Sequence, residues 1–258
     1  MSYDAPHHSI LISGATGAIG GALAYLYAGP GVTLFLQGRN RQRLDELAEQ
    51  CRTRGSDVLT FSIDVRDTHT LISWLQELND RERLDLVIAA SGVNTNIGSD
   101  GAGEPWDSVE ALLEVNIRAT MAIVNAVLPG MRRRGKGQIA LFSSLAAYYG
   151  LPLTPSYCAS KAAVKAYGEA LRGWLGPEGI RVNVIMPGYV ESEMCREMPG
   201  PKPFLWSPEK AARTIRRGLE RNRPRISFPF PLNFGTWWLS VLRPFMSDWI
   251  VRHMGYRG

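Results

Sequence analysis

Tyr157 and Lys161 are the two residues whose types and spacing are best suited to acid–base chemistry. They lie four positions apart in a stretch, residues 156–175, whose apolar spacing predicts a helix, so both side chains should share one helix face. A free phenol has a pKa near ~10, and a neighbouring ammonium stabilises the phenolate and lowers that pKa. We therefore expect a pair that gives or takes a proton at an alcohol oxygen, although an ordinary amphipathic helix shows the same spacing.

Two further polar residues, Ser144 and Asn116, fall where the predicted elements would bring them near this pair. Ser144 follows a predicted strand at residues 138–142, and parallel sheets present ligand-binding groups at the carboxyl ends of their strands. Asn116 lies in an otherwise apolar helical pattern at residues 106–128, where a buried amide must find hydrogen-bond partners. A purely structural role for Asn116 fits the same pattern.

A glycine-rich turn joins the first predicted strand, residues 9–13, to the first predicted helix, residues 22–27. Glycine permits unusual backbone angles there and lets the main chain approach a pyrophosphate. The helix N-terminus then offers free N–H groups to phosphate oxygens. A plain strand–helix turn would also contain glycine, but this position favours a dinucleotide site formed by Gly14, Thr16, Gly17, Ala18, Ile19 and Gly20.

The end of the second predicted strand, residues 32–36, bears on which dinucleotide would bind. NAD sites place an acidic side chain near this point to accept from the ribose 2′-hydroxyl. Here the sequence continues Gln37-Gly38-Arg39-Asn40, with no acid, and Arg39 can pair with a 2′-phosphate. We expect NADP(H) to be favoured over NAD(H), with Arg39 and Asn40 at the adenosine end, although a solvated surface arginine explains Arg39 equally simply.

The elements that must position these residues alternate between strands and helices along the chain. Several strands are continuous apolar runs, which is typical of a parallel sheet covered on both faces. We predict one domain of α/β class, a Rossmann-type doubly wound parallel β-sheet with helices on both faces. The domain would span residues 1–225 and include a substrate lid at residues 189–206. Residues 226–258 would form an aromatic, basic C-terminal extension of the same domain.

Composition narrows the function classes. The chain has 258 residues, 45% hydrophobic, and a formal net charge of +5, which is enough apolar content for a core and argues against disorder. No nucleic-acid module accompanies the positive charge. The three cysteines lack metal-ligand spacing, so we expect no metal and a reducing, cytoplasmic location. The N-terminus lacks the basic segment of a signal peptide, and no uninterrupted apolar stretch is long enough to span a bilayer.

In this order and on these elements, the motifs resemble the short-chain dehydrogenase/reductase family from about Ser9 to Val190. The family's Tyr-x-x-x-Lys motif matches Tyr157 and Lys161, and its catalytic serine, thirteen residues earlier, matches Ser144. Its helix asparagine matches Asn116. The glycine turn departs from the family pattern at Ala18, and the segment after the fourth strand departs at Ala90, where the family has an amide side chain. The resemblance also implies cofactor contacts at Asp64, Val65, Ala90, Ser91, Gly92, Tyr157, Lys161, Pro187, Gly188, Val190 and Ser192.

The resemblance implies an oxidoreductase in which the cofactor gives hydride to a carbonyl and Tyr157 gives the proton. Ser144 would hold the oxygen, Lys161 would lower the pKa of Tyr157 and bind the nicotinamide ribose, and Asn116 would position a water. A homodimer or homotetramer is expected, as is common in the family. The alternatives are an alcohol dehydrogenase working in the oxidative direction and a non-catalytic NADP(H)-binding regulator. Regulators of this fold usually lose part of the set Asn116, Ser144, Tyr157 and Lys161, and here all four residues are present.

The segment from Arg221 onward has an unusual composition. It is rich in Phe and Trp, and it contains four arginines and no acidic residue before Ser247. Three roles fit: an interfacial helix on a membrane, which would make the protein peripheral to that membrane, a contact between subunits, or an apolar wall of the substrate pocket. The lid, with Met194 and Met198, favours an apolar or lipid-like substrate.

Overall fold

The computed structural model describes residues 7–98, 101–198 and 200–254. Seven parallel strands form one sheet in the order β3-β2-β1-β4-β5-β6-β7, which confirms the predicted doubly wound architecture. The chain leaves β1 in one direction and β4 in the other, so the order reverses between these two neighbours, where such sheets bind their ligands. The strands are β1 (Ser9–Ser13), β2 (Thr33–Gly38), β3 (Asp57–Ser62), β4 (Leu86–Ala89), β5 (Gly137–Phe142), β6 (Ile180–Pro187) and β7 (Arg225–Phe228).

Helices cover both faces of this sheet because alternate strand residues point to opposite faces. Ile10 and Ile12 of β1 belong to one buried cluster with residues of α1, α2 and α8. Leu11, between them, belongs to a second cluster with residues of α3, α5 and α6. The helices are α1 (Ala18–Tyr27), α2 (Arg41–Arg52), α3 (Thr68–Arg81), α4 (Trp106–Leu113), α5 (Ala119–Arg134), α6 (Pro155–Leu175), α7 (Glu193–Glu197), α8 (Pro208–Glu220), α9 (Leu232–Val241) and α10 (Pro244–His253).

Local signals fix several helix ends. Ser207 caps α8 by accepting from the backbone amide of Lys210, and Pro208 occupies the first helical position, as the sequence predicts. The helical pattern predicted for residues 106–128 instead divides into α4 and α5 around a wider π-helical turn, Glu114–Arg118. It also runs past Pro129 to Gly135, whose φ of 60° ends it. The extension follows from burial, because Gly130 and Met131 still pack inside the core.

The stretch Trp106–Arg134 is long and apolar enough to cross a membrane by length and composition, with a mean hydropathy of 1.5. In the structure, 61% of its most apolar window is buried, and α5 supplies much of the core beneath one face of the sheet. These observations describe a core helix of the domain.

The chain end returns to the sheet before it forms the two terminal helices. The boundary predicted at residue 226 falls inside β7, which pairs in parallel with β6. Helices α9 and α10 follow, and Ser247 of α10 donates to the carbonyl of Leu239 of α9 at 2.8 Å. Parts of three predicted segments lie outside the described residues: the N-terminus at 1–6, Pro199 of the lid, and 255–258 of the extension.

Candidate active site

The residues singled out by the sequence converge on one cavity of about 800 Å³ at the carboxyl edge of the sheet. The ends of β1, β4, β5 and β6 all contribute to its wall, as expected where parallel strands terminate together. Ser144, Tyr157 and Lys161 line it. Asn116 lies immediately behind that wall, since a Cβ built on the lining residue Gly92 would lie 3.4 Å from its side-chain oxygen.

Tyr157 and Lys161 lie in the first two turns of α6, and both are buried. The Lys161 Nζ atom is 5.6 Å from the centre of the Tyr157 ring. It donates to the carbonyl of Phe142 at 3.1 Å, while the hydroxyl of Ser143 donates to the carbonyl of Lys161 at 2.7 Å. Helix α6 is therefore fastened to the end of β5, and the shared face predicted from the i, i+4 spacing is present.

Burial sets the protonation of this pair. It raises the pKa of Tyr157 to about 12, with a hydrogen bond from Ser144 acting in the opposite direction. It lowers the pKa of Lys161 to about 8. The expected lowering of the tyrosine pKa is therefore wrong, because the cost of removing a phenolate from water is larger than the lowering by the Ser144 hydroxyl. Tyr157 is held as a neutral phenol, the form that donates a proton.

Ser144 occupies the junction between β5 and α6. Its hydroxyl accepts from the backbone amide of Ala146 at 3.1 Å and lies 3.4 Å from the carbonyl of Pro187 at the end of β6. Ser144 and Tyr157 both line the cavity, and the serine hydroxyl is close enough to the phenol to act on its pKa. Together they can donate two hydrogen bonds to a single oxygen atom.

Asn116 sits in the π-helical turn between α4 and α5, a feature that is frequent at functional sites. Its side-chain oxygen accepts from the amide of Val93 at 2.9 Å. Its side-chain nitrogen donates to the carbonyl of Val93 and to the hydroxyl of Ser160, each at 3.0 Å. The amide therefore ties the segment after β4 to helix α6, and it contacts α6 at Ser160, between Tyr157 and Lys161.

The glycine turn has the shape that a dinucleotide pyrophosphate requires. Gly14 has a φ of +71°, and a Cβ there would lie 2.7 Å from the backbone nitrogen of Ser91. A Cβ on Gly20 would collide with the carbonyl of Gly14. Gly17 precedes α1 without a side-chain cap, and the start of this helix lines the cavity together with Thr16. Side chains at Gly14 and Gly20 would collide with the backbone of the turn and of the segment after β4, so glycine is needed for this close packing.

The adenosine end of the cavity contains two arginines. Arg39 lines it, as expected from the sequence, but Asn40 does not; its side chain instead caps α2 by accepting from the amide of Arg43. Arg43 also lines the cavity, and its guanidinium lies 3.7 Å from the carboxylate of Glu193 in α7. Arg43 was not predicted, although its position four residues after Arg39, in the first turn of the next helix, offered the signal.

The remaining predicted cofactor contacts also line the cavity. Asp64 does so while its carboxylate pairs with Arg66 at 2.6 Å, and this guanidinium holds the pKa of Asp64 below its usual value. The hydroxyls of Ser13 and Ser91 are 2.6 Å apart, which joins the glycine turn to the segment after β4. Ser192 caps the short helix α7. The others are Val65, Ala90, Gly92, Pro187, Gly188 and Val190.

The other end of the cavity is apolar, and the C-terminal extension forms much of it. The individual residues of this wall were not predicted from the sequence, because the segment after Ser144 and the C-terminal extension are about a hundred positions apart in the chain. Of the three roles considered for the extension, the structure places its inner side in the pocket. The apolar wall contains Leu145, Tyr149, Leu151, Met194, Cys195 and Met198, together with Leu232, Thr236, Leu239, Val251 and Met254 of the extension.

Comparison with known proteins agrees with this geometry. The family model for short chain dehydrogenase matches residues 8–201. An uncharacterized oxidoreductase of Myxococcus xanthus (strain DK1622) is 32% identical over 256 residues, which cover 98% of each chain. The 11-beta-hydroxysteroid dehydrogenase-like 3 of Arabidopsis thaliana is 32% identical over 241 residues, covering 91% of this chain and 76% of the relative.

Solved structures share the fold at lower identity. A short chain dehydrogenase from Burkholderia cenocepacia J2315 in complex with NADP has a TM-score of 0.79 and 22% identity, covering 97% of this chain and 99% of that one. A 3-oxoacyl-[acyl-carrier protein] reductase from Brucella melitensis with bound NAD has a TM-score of 0.71 and 22% identity, covering 85% and 87%. The chain belongs to the short-chain dehydrogenase family and is an NAD(P)-dependent oxidoreductase of CH–OH and C=O groups.

Proposed function

We propose that this enzyme is an NADP(H)-dependent reductase of a neutral, apolar ketone. The observation that supports the substrate class is the apolar wall formed by the segment after Ser144 and by the C-terminal extension. Among the described residues, neither the segment after Ser144 nor the C-terminal extension contributes a charged side chain to the lining. A buried wall of this kind favours apolar ligands and leaves a charged group without a partner.

The chemistry follows from the protonation of the buried pair. A bound nicotinamide dinucleotide supplies the hydride. Ser144 and Tyr157 donate hydrogen bonds to the carbonyl oxygen, so negative charge that develops there is stabilised. Tyr157 then gives up its proton, and the ammonium of Lys161 stabilises the phenolate that remains. With a pKa of about 12, Tyr157 is protonated at neutral pH, which is the form that gives a proton in the reductive direction. Asn116 maintains the segment after β4 and helix α6 in register, and we propose that it also positions a water beside Lys161.

Retention of NADP(H) would rest on the glycine turn and on the two arginines. The amides at the start of α1 would bind the pyrophosphate, and Arg39 with Arg43 would neutralise a 2′-phosphate. Asp64 lines the same end but is already paired with Arg66, so it adds little repulsion. The structural neighbours include proteins with NADP and with NAD, so the preference of this chain rests on its own arginines.

The test is NADPH oxidation by the purified protein against a panel of apolar ketones, including steroids, decalones and long-chain ketones, alongside sugars and charged keto acids. We expect turnover confined to the apolar group and lower KM for NADPH than for NADH. Tyr157→Phe should bind NADPH normally and lose turnover, because the ring remains and the proton donor is gone. Turnover by that variant, or a preference for charged keto acids, would overturn the proposal.

We also propose that the enzyme is a homodimer or homotetramer, as the family resemblance implies. Sedimentation velocity measures this directly at several protein concentrations. A single monomeric species at micromolar concentration would contradict it without affecting the proposed chemistry.

A further inference from the structure

Helices α9 and α10 expose a row of large aromatic side chains, here called the outer aromatic face. The rings of Phe234, Trp237 and Trp238 contact one another, with centroids 5.8–6.2 Å apart. Phe245 and Trp249, one turn apart on α10, are 66% and 61% exposed. Val241, at the end of α9, is also exposed. Large aromatic side chains exposed in such number on two successive helices mark an interaction site.

The same two helices are apolar on their inner side. Leu239 of α9 and Val251 of α10 are buried and line the cavity. A helix that is apolar on both sides is not designed for a water-facing position. Helices α9 and α10 therefore separate the cavity from an exposed face that is itself apolar.

Polar groups on these helices need little from solvent. The hydroxyl of Ser240 donates to the carbonyl of Trp237 at 2.7 Å, and that of Thr236 donates to the carbonyl of Leu232 at 3.0 Å. The hydroxyl of Ser247 likewise donates to the carbonyl of Leu239. Because these groups are already bonded inside the two helices, covering the outer aromatic face with an apolar phase leaves them satisfied.

The charges around this face are mainly positive. Arg243 and Arg252 are exposed, and Asp248 is the sole acidic residue between positions 226 and 254. The carboxylate of Asp248 accepts from the hydroxyl of Tyr149 at 2.6 Å, so its charge is partly engaged at the cavity wall. Aromatic side chains flanked by arginines match the headgroup region of an anionic lipid surface. A second copy of this face would offer few acids to pair with these arginines.

We propose that the outer aromatic face docks on an anionic lipid surface and that apolar substrate reaches the cavity from that surface. The docking step stands on the exposed face alone, whereas delivery of substrate rests on the proposed function. In the docked state, Trp238, Phe245 and Trp249 lie at headgroup depth, and Arg243 and Arg252 contact lipid phosphates.

The test is co-sedimentation of the full-length protein with vesicles of phosphatidylcholine containing 30% phosphatidylglycerol, and with vesicles of phosphatidylcholine alone. The double variant Trp238→Gln/Trp249→Gln removes two exposed rings that do not line the cavity. The matched control, Trp106→Gln/Trp174→Gln, removes two tryptophans that are 66% and 57% exposed on α4 and α6. NADPH binding and sedimentation velocity verify folding and oligomeric state for each protein.

We expect wild type and control to pellet with anionic vesicles. Partitioning of Trp238→Gln/Trp249→Gln into these vesicles should be at least tenfold weaker. All three proteins should bind neutral vesicles more weakly than anionic ones. The indole fluorescence of wild type should shift to shorter wavelength on binding. Equal pelleting of all three proteins, or none for wild type, overturns docking. A change of oligomeric state in solution caused by Trp238→Gln/Trp249→Gln also overturns docking, because the outer aromatic face is then a contact between copies of the chain. Since pelleting needs no turnover, its failure is separable from failure of the proposed reduction.

Discussion

The carboxylate of Glu104 accepts hydrogen bonds from both the backbone amide and the hydroxyl of Ser156, the residue immediately before Tyr157. The hydrogen bond from the backbone amide of Ser156 measures 3.1 Å. Thr154, the residue that precedes helix α6, makes no side-chain capping bond. Glu104 therefore acts as the cap of α6, the helix that bears Tyr157 and Lys161, although it lies fifty-two positions before Ser156 in the chain. Its negative charge also complements the positive end of the helix dipole.

Replacing this cap should displace Tyr157. We expect Glu104→Ala to lower the free energy of unfolding by about 1–2 kcal/mol and kcat by about tenfold or more, since small misplacements of a catalytic group are costly. The KM for NADPH should change less than kcat, because the glycine turn and the arginines expected to bind the phosphates lie on other elements. Steady-state kinetics and urea unfolding measure these effects. Glu104→Gln should recover part of both, and Glu110→Ala, an exposed acid on α4, is the control; equal kcat in all four proteins would remove the positioning role.

The pH dependence of reduction should report Lys161. Its folded-state pKa is about 8, below the usual value of 10.5, so the ammonium is lost as pH rises through 8. We expect kcat/KM for reduction to be level below pH 8 and to fall above it, while Tyr157 stays protonated. The linkage has the opposite sign: burial of the ammonium destabilises the fold below pH 8, and this penalty disappears as pH rises towards 10.5.

Activity and stability should therefore separate between pH 8 and 10. Stopped-flow rates of NADPH oxidation and thermal unfolding over the same buffers measure both. A parallel loss of activity and folded protein would attribute the decline to alkaline unfolding instead of Lys161.

Cofactor preference should follow the arginines at the adenosine end. Arg39→Ala should raise the KM for NADPH about tenfold, the size expected for one charge-assisted contact, with KM for NADH nearly unchanged. Arg43→Ala should have a smaller effect of the same kind, because its guanidinium also pairs with Glu193. Arg41 is the control, since its largely exposed side chain pairs with Asp45 and does not line the cavity. Equal changes for both cofactors in Arg39→Ala would argue against 2′-phosphate recognition.

Gly14 should be the most sensitive residue of the glycine turn. Gly14→Ala requires a side chain at a φ of +71° and places a Cβ 2.7 Å from the amide nitrogen of Ser91. We expect the free energy of unfolding to fall by about 2 kcal/mol or more. We also expect NADPH binding to be lost. At Gly29 a Cβ meets nothing within 4 Å, so Gly29→Ala should stay within about 0.5 kcal/mol of wild type. Chemical denaturation and fluorescence titration distinguish the two, and a harmless Gly14→Ala would show that the backbone can rearrange.

The sequence by itself determined the order of the elements, and it also led to the residues that we propose react. Strand and helix periodicities, caps such as Ser207 and the spacing of Tyr157 and Lys161 are local, so short stretches of sequence encode them. Because the carboxyl ends of parallel strands share one edge of a sheet, the sequence alone predicts that the glycine turn and Ser144 lie close together. The resemblance added roles to residues that were otherwise ordinary.

The tertiary structure decided what surrounds those residues. Burial raised the pKa of Tyr157 when its neighbour alone predicted a lower one, and Glu104, Arg43 and the inner sides of α9 and α10 joined the site from distant positions. The physical reason is that desolvation and long-range packing depend on how many groups close around a side chain. No local period records that number, so only the folded chain shows which wall faces Tyr157 and which aromatic rings remain outside.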